Sequence, residues 1–200
     1  MPSKEREYRS MELRIAQRED GAEPSFFVEG HAATFEPYVL MTIDGVDYSE
    51  RIEPTAFDGA DLSDVVFRVD HEGPVYARTS AGSVEVWVDG TGLAQKTDLG
   101  RTQRAKDLFA DIAAGNYPKM SFAFTVAEDE YDKATHTRVI KRIDKVYDVS
   151  PVSFPANPTT ELSVSTRDYF DGVIEAEKAE RLEREQRERQ KLKIRVLTEI

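Results

Sequence analysis

The sequence predicts a mostly β protein with helices at its periphery, arranged as a barrel or a sandwich. Short segments in which apolar and polar residues alternate recur along the first three quarters of the chain, and a period of two is typical of strands. Hairpin turn signals, Asp44-Gly45 and Asp89-Gly90, separate several of these segments. Helical spacing is rare by comparison, which favours an all-β framework with a few added helices.

The strands are assigned in chain order from this alternation. Met11, Leu13 and Ile15 alternate with polar neighbours and begin the series. Residues 53–64, punctuated by Pro54 and Gly59, are predicted to form a loop. The remaining predicted strands are residues 26–35, 39–43, 46–48, 65–69, 84–88, 120–126 and 137–149. The strand at 65–69 runs directly into His71, and the pair Gly73-Pro74 is expected to interrupt the chain after it.

One helix is predicted within the β region, at residues 102–114. Apolar residues recur there at helical spacing, with Thr102 as the N-cap and Gly115 as the stop signal. The strand that contains Ser121 follows directly.

The ends of the chain differ in composition from its middle. Residues 1–10 are polar and are expected to be a flexible segment without the features of a secretory signal. Residues 175–195 are dense in Glu, Arg and Lys, as in helices that are solvated, charge-paired or in need of a partner. The division predicted is therefore a domain at 11–165 and a separable, charged helical tail at 166–200, with a disordered tail as the alternative.

Bulk composition excludes several classes of protein. The net charge of −11 argues against general nucleic-acid binding, which needs a basic surface. No apolar run reaches the length of a membrane span. The absence of cysteine excludes disulfides and thiolate sites, and three histidines without cysteine argue against catalytic zinc. No cofactor is expected.

Ser121 is a candidate nucleophile because of its place in the strand at 120–126. Met120 and Phe122 are expected to face the core, and Ser121 and Ala123 to face away from it into open space. A serine also needs a base and a group that orients the base. The alternative is a small residue that fills a tight place in a sheet, and the strand pattern alone favours that alternative.

Two other segments could supply the base and its orienting group: residues 69–71 and residues 147–150. His71 is expected on the same strand face as Val69, where its ring would be partly shielded, and the alternative is a core histidine without chemistry. Asp70 is discounted as an orienting group because neighbouring side chains on a strand point to opposite faces.

Five segments together resemble a known family. They are residues 30–35 (GHAATF), 53–57 (EPTAF), 69–71 (VDH), 120–124 (MSFAF) and 148–157 (DVSPVSFPAN). In this order they are similar to the prohead (capsid maturation) serine proteases of tailed bacteriophages, whose fold is related to that of the herpesvirus assembly proteases. The resemblance covers about residues 11 to 165.

The resemblance implies a closed antiparallel β-barrel flanked by helices and a catalytic set of Ser121, His71 and Asp148. Asp148 lies where the family commonly has an acidic residue, often Glu, and its shorter side chain puts direct contact with His71 in question. The alternative for Asp148 is a strand-end carboxylate paired with a neighbouring Lys or Arg. His136 is the rival orienting group, because the herpesvirus relatives use a second histidine, although a hairpin turn is expected there.

Two further details qualify the resemblance. Ala123 stands where the family motif often has glycine, which could narrow the cleft beside the nucleophile. His31 lies in a motif interpreted as structural and receives no role. The donors of the oxyanion hole are not assigned.

The function implied is a serine endopeptidase that acts inside the immature capsid, or prohead, in the host cytoplasm. Its partners would be the scaffold protein, the major capsid protein with its N-terminal scaffolding segment, and the protease itself. The tail would serve docking or self-cleavage, and a homodimer stays open. Two other interpretations are kept: a non-enzymatic, protease-like capsid assembly module, and a hydrolase of small esters or amides.

Overall fold

The computed structural model describes residues 5–12, 14–15, 26–153 and 164–198. The chain divides into two compact units, residues 1–163 and residues 164–200. This division lies close to the expected end of the domain at residue 165.

The described part of the first unit contains eleven strands, one α-helix and a short 3₁₀ turn at Thr79–Ala81. The second unit contains one long helix, α2 (Val164–Thr198). The elements of the first unit are β1 (Glu7–Glu12), β2 (Arg14–Ile15), β3 (Phe27–Thr34), β4 (Tyr38–Ile43), β5 (Val46–Ile52), β6 (Val66–Val69), β7 (Glu72–Arg78), β8 (Val84–Val88), β9 (Gly92–Asp98), α1 (Gln103–Ala113), β10 (Lys119–Asp132) and β11 (Thr137–Val152).

The strands form two sheets. The larger sheet has the order β1-β10-β11-β5-β4, and the β6–β7 hairpin joins it through β11. The smaller sheet has the order β2-β3-β9-β8. Along its other edge β11 pairs in parallel first with β5 and then with β6. The long strand β11 therefore holds the β6–β7 hairpin beside β10.

The mostly β class is confirmed, but the closed barrel is not supported. Among the described strands, pairing gives two open sheets, with β1 and β4 at the ends of one path and β2 and β8 at the ends of the other. β1 lies beside β3, yet its strand pairing is with β10. The hydrogen bonds that would close the two sheets into one are therefore not formed in this part of the chain.

Local signals for the helix and the hairpins are confirmed. The Thr102 hydroxyl oxygen accepts a hydrogen bond from the Ala105 N–H at 3.1 Å, which caps α1. Gly115 follows the helix with φ +85°, a left-handed conformation that glycine adopts without strain. The β4–β5 turn has Asp44 at φ +52° and Gly45 at φ +78°, as in a type I′ hairpin.

Two boundary expectations differ from the structure. Residues 7–10, expected in the flexible N-terminal segment, belong to β1. Gly73 and Pro74, expected to interrupt the chain after His71, lie inside β7. In the described residues β7 pairs with β6 only, and an edge strand tolerates proline because the missing N–H has no ladder partner to satisfy.

A search of the described helices found none that is both long and apolar enough to cross a membrane.

Candidate active site

Strands β10 and β11 bring Ser121 and Asp148 to the same face of the larger sheet. Ser121 pairs with Ser150 across the two strands, and Ala123 pairs with Asp148. Residues paired in this way point to the same face, and diagonal neighbours such as Ser121 and Asp148 have Cα atoms about 7–8 Å apart. A gap of this size accommodates an imidazole ring between the hydroxyl and the carboxylate.

The turn between β6 and β7 supplies that ring. Asp70 and His71 are the two residues of the turn, with φ +47° and +58°. Positive φ at both positions matches a type I′ turn. The expectation that His71 shares a strand face with Val69 is therefore wrong. β6 pairs in parallel with β11 at Asp148 and Val149, which brings the turn to the site.

The imidazole contacts both partners at hydrogen-bond distance. His71 Nδ1 lies 2.6 Å from Asp148 Oδ1, and His71 Nε2 lies 2.7 Å from Ser121 Oγ. Because the carboxylate only accepts, Nδ1 carries the proton and donates it, and Nε2 accepts from the Ser121 hydroxyl. Aspartate is thus long enough to reach the ring directly. The geometry is that of a nucleophile, a base and a group that orients the base.

The site is more enclosed than the strand pattern indicates. Ser121 is only 1% exposed, so the expectation of an open hydroxyl is wrong. Ala123 is also fully buried, which means that both faces of β10 are covered here. The His71 side chain keeps 16% of its exposure and Asp148 only 2%.

Two residues beside the catalytic candidates were not found from the sequence. The Ser150 hydroxyl donates a hydrogen bond to Asp148 Oδ1 at 2.6 Å, and its position two residues after Asp148 on one strand was a usable signal. The Tyr8 ring lies 4.5 Å from the His71 ring, centroid to centroid. No signal could have identified Tyr8, because it stands in the segment taken to be flexible.

The other two histidines lie elsewhere. His136 is in the turn between β10 and β11 with φ +50°, and its Nδ1 is 3.1 Å from the Tyr131 hydroxyl. The eleven residues of β10 that follow Ser121 separate this turn from the site by roughly 35 Å of extended strand. His31 Nε2 contacts Asp89 at 2.9 Å. The structure therefore does not bring His136 to His71.

The described residues contain no group of three His, Asp or Glu side chains that could hold a metal ion. At Ser121 the contacts join a hydroxyl, an imidazole and a carboxylate in sequence, which is the arrangement found in serine hydrolases.

Comparisons with known proteins place the chain in a family. Residues 11–172 match the sequence model of the caudovirus prohead serine proteases, and the chain belongs to this family. The resemblance seen in the sequence is therefore confirmed. Among solved structures, the capsid assembly protease of bacteriophage T4 aligns with a TM-score of 0.45 and 12% identity, over 76% of this chain and 98% of that chain. A search of curated proteins found no match.

Proposed function

We propose that this chain is an active serine endopeptidase of prohead maturation, with Ser121 as nucleophile, His71 as general base and Asp148 as the group that orients it. The observation that supports the proposal is the continuous set of contacts from Asp148 through His71 to Ser121, at 2.6 and 2.7 Å. Membership of the prohead serine protease family supports a peptide bond as the bond that is cut.

In the proposed reaction the Ser121 oxygen attacks the scissile carbonyl carbon while His71 Nε2 takes the hydroxyl proton. Asp148 stabilises the imidazolium that results. His71 then returns the proton to the leaving amine, and the C–N bond breaks to give an acyl-enzyme. A water molecule, deprotonated by His71, hydrolyses the ester and restores Ser121.

The substrates proposed are the scaffold protein or the N-terminal scaffolding segment of the major capsid protein, together with this chain itself. The proposed location is the interior of the prohead, in the host cell. The chain belongs to a family of prohead proteases, and the prohead is where scaffold and capsid proteins assemble. This membership supports both the proposed substrates and the proposed location.

The experiment that tests the proposal compares intact masses of the wild-type chain and Ser121→Ala, each incubated alone and with the cognate capsid precursor. Discrete fragments are expected with the wild type and not with Ser121→Ala. Ser80→Ala is the matched control, since Ser80 is exposed and its hydroxyl contacts Asp64 rather than His71. Fragments that form equally with Ser121→Ala would contradict the assignment.

One observation favours a second candidate, a non-enzymatic capsid assembly module. Ser121 is 1% exposed, and a substrate carbonyl must reach its oxygen before any reaction can occur. Intact masses with both the wild type and Ser121→Ala, from folded protein and a competent precursor, would support this module. Cleavage of a small ester by a chain that leaves the precursor intact would instead indicate a small-ester hydrolase.

A further inference from the structure

The turn that carries His71 differs from the other two-residue hairpin turn of this chain. In the β4–β5 turn, Asp44 is followed by Gly45, the pair that a type I′ turn favours. In the β6–β7 turn, Asp70 is followed by His71 at φ +58°. A side chain larger than glycine pays a conformational cost in this region, and such conformations persist where surrounding contacts enforce them.

Those contacts come from the chain that follows Asp148. The Asp70 carboxylate accepts a hydrogen bond from the Ser153 N–H at 2.9 Å, and both of its oxygens lie within 3.1 Å of the Ser153 hydroxyl. The Asp70 N–H donates to the Pro151 carbonyl oxygen at 3.1 Å. We call this set of contacts, between Asp70 and residues 151–153, the turn clamp.

The turn clamp extends an existing alignment. β6 and β11 pair in parallel at Val66–Asp148 and Phe67–Val149, and the clamp joins the same two segments again two to four residues further on. Both attachments flank the contact between His71 and Asp148. They therefore hold the turn, and with it the His71 ring, in a fixed position relative to the Asp148 carboxylate.

We propose that Asp70 is a positioning residue for the catalytic base: through Ser153 and Pro151 it holds the His71 turn so that the imidazole stays between Asp148 and Ser121. The proposal rests on the function proposed above. Asp70 was discounted as an orienting group on the assumption that it and His71 are neighbours on one strand. The structure places both residues in the turn, and Asp70 acts through the contacts of that turn with Pro151 and Ser153.

The turn clamp explains why position 70 has a side chain with an acceptor oxygen rather than glycine, which the geometry of the turn alone does not explain. Asparagine, aspartate and glycine all suit the first position of a type I′ turn. Only a side chain with an acceptor oxygen can receive the Ser153 N–H and hydroxyl. Asp70 is exposed, so that loss of its side chain removes the contacts with Ser153 and leaves no cavity in the core, while the backbone bond to Pro151 can remain.

The test uses three variants of the full-length chain. Asp70→Gly keeps a residue suited to positive φ but removes the carboxylate, while Asp70→Asn keeps an acceptor oxygen. Asp44→Gly makes the same change at the same position of the β4–β5 turn and serves as the matched control. Two readouts are compared: the rate at which a fluorophosphonate probe labels Ser121, and the downfield proton NMR signal of His71 Nδ1–H.

We expect Asp70→Gly to label about ten- to a hundredfold more slowly than the wild type, because small displacements of a catalytic group cost rates of this order. Its Nδ1–H signal should shift or broaden. Asp70→Asn should keep most of the rate, and Asp44→Gly should match the wild type in both readouts. Ser153→Ala removes one of the two Ser153 donors and should slow labelling less than Asp70→Gly. It also tests the clamp if Asp70→Gly does not fold.

Wild-type labelling and an unchanged Nδ1–H signal in Asp70→Gly would overturn the proposal, as would an equal loss in Asp44→Gly. If the wild-type chain itself is not labelled, the proposed function fails. The test of the turn clamp then depends on the NMR signal alone. A signal that depends on Asp70 and not on Asp44 then supports the clamp, and one that depends on neither overturns it.

Discussion

At the scale of single residues, the two ring nitrogens of His71 contact oxygens of two different residues. This difference predicts which substitutions at the site should lower activity. Nδ1 donates to Asp148, and Nε2 accepts from Ser121. An amide side chain in place of the Asp148 carboxylate could donate its N–H to His71 Nδ1. That contact would favour the tautomer with the proton on Nε2, which cannot accept the serine proton.

Asp148→Asn should therefore lower the rate of peptide cleavage by about 10⁴-fold, as the equivalent change does in a serine protease triad. The side chain keeps its shape, so the fold should be retained. The measurement is single-turnover cleavage of the capsid precursor, with fluorophosphonate labelling as a second readout that does not depend on the precursor.

His136→Ala is the control for the rival orienting group. Because His136 contacts Tyr131 in the β10–β11 turn, its removal should leave the cleavage rate unchanged. A large loss in His136→Ala together with near-normal Asp148→Asn would show that the histidine is the orienting group.

At the scale of strands, β1 is held by buried charges as well as by its ladder with β10. Glu7 and Arg9 of β1, Glu50 of β5 and Arg138 of β11 are each 4% exposed or less. Arg138 Nη1 donates to Glu7 at 2.7 Å and to Glu50 at 3.1 Å, and Arg9 Nε donates to Glu50 at 2.6 Å. The cluster fixes the strand whose other face presents Tyr8 to His71.

The electrostatics of this cluster keep its arginines charged. Burial alone would lower the pKa of Arg138, but the carboxylates of Glu50, Glu7 and Asp129 outweigh it and raise that pKa. The pKa of Arg9 is also raised, by Glu50, Tyr38 and Glu7, against the opposing effect of burial. Each arginine therefore compensates carboxylates that would otherwise be buried without a counter-charge.

Arg138→Met should lower the free energy of unfolding by about 3–5 kcal/mol, because Glu7, Glu50 and Asp129 each lose a buried counter-charge and Arg9 still pairs with the first two. Urea unfolding followed by the fluorescence of Trp87, the one tryptophan of the chain, would measure this change in the first unit. Arg142→Met, on the same strand β11, is the matched control. It removes an exposed pair with Glu128 at 3.8 Å and should change stability by no more than about 0.5 kcal/mol. Equal effects of the two substitutions would contradict a stabilising role for the cluster.

How far the sequence determines these elements depends on how local each signal is. The Asp44-Gly45 turn and the α1 cap are set by neighbouring residues, and both were predicted correctly. The Asp70-His71 turn was missed because His71 occupies a position that usually holds glycine, and Gly73-Pro74 resembled the break instead. Residues 192–196 alternate like a strand, yet they continue α2. Their leucine, lysine and arginine residues are good helix formers, and a short alternation does not override that preference.

In the candidate site, too, residue types could be predicted from the sequence, whereas contacts between distant segments could not. Residue type and order in the chain indicated Ser121, His71 and Asp148. The contact between Asp148 and His71 depends on the parallel register of β6 with β11, and the burial of Ser121 depends on what covers β10. Neither can be obtained from the alternation of side chains along one strand, because both arise from pairing between segments far apart in sequence.

At the scale of the whole molecule, charge is unevenly distributed between the two units. Residues 178–198 carry eight Lys or Arg and four Glu, a local net charge of +4 in a chain of net charge −11. The side chains of residues 178–191 are exposed, with Leu182 the one large apolar residue among them. The exposed residues 178–191 carry six Lys or Arg and four Glu, so this part of α2 is a solvent-facing helix with a small net positive charge, attached to a unit that is acidic.

We propose that this helix binds an acidic surface on scaffold or capsid subunits, because complementary charge favours association. Binding would raise the effective concentration of the protease inside the shell. A chain that ends after Glu177 should therefore cleave free precursor at the wild-type rate but enter assembled proheads in smaller amounts, as counted by quantitative mass spectrometry of purified particles.

A second variant with Gln at Arg181, Arg184, Arg187 and Arg189 keeps the length of the helix and separates the effect of charge from that of length. If both variants enter proheads as efficiently as the wild type, the tail has no docking role, and if only the shortened chain is excluded, the helix docks by shape rather than by charge.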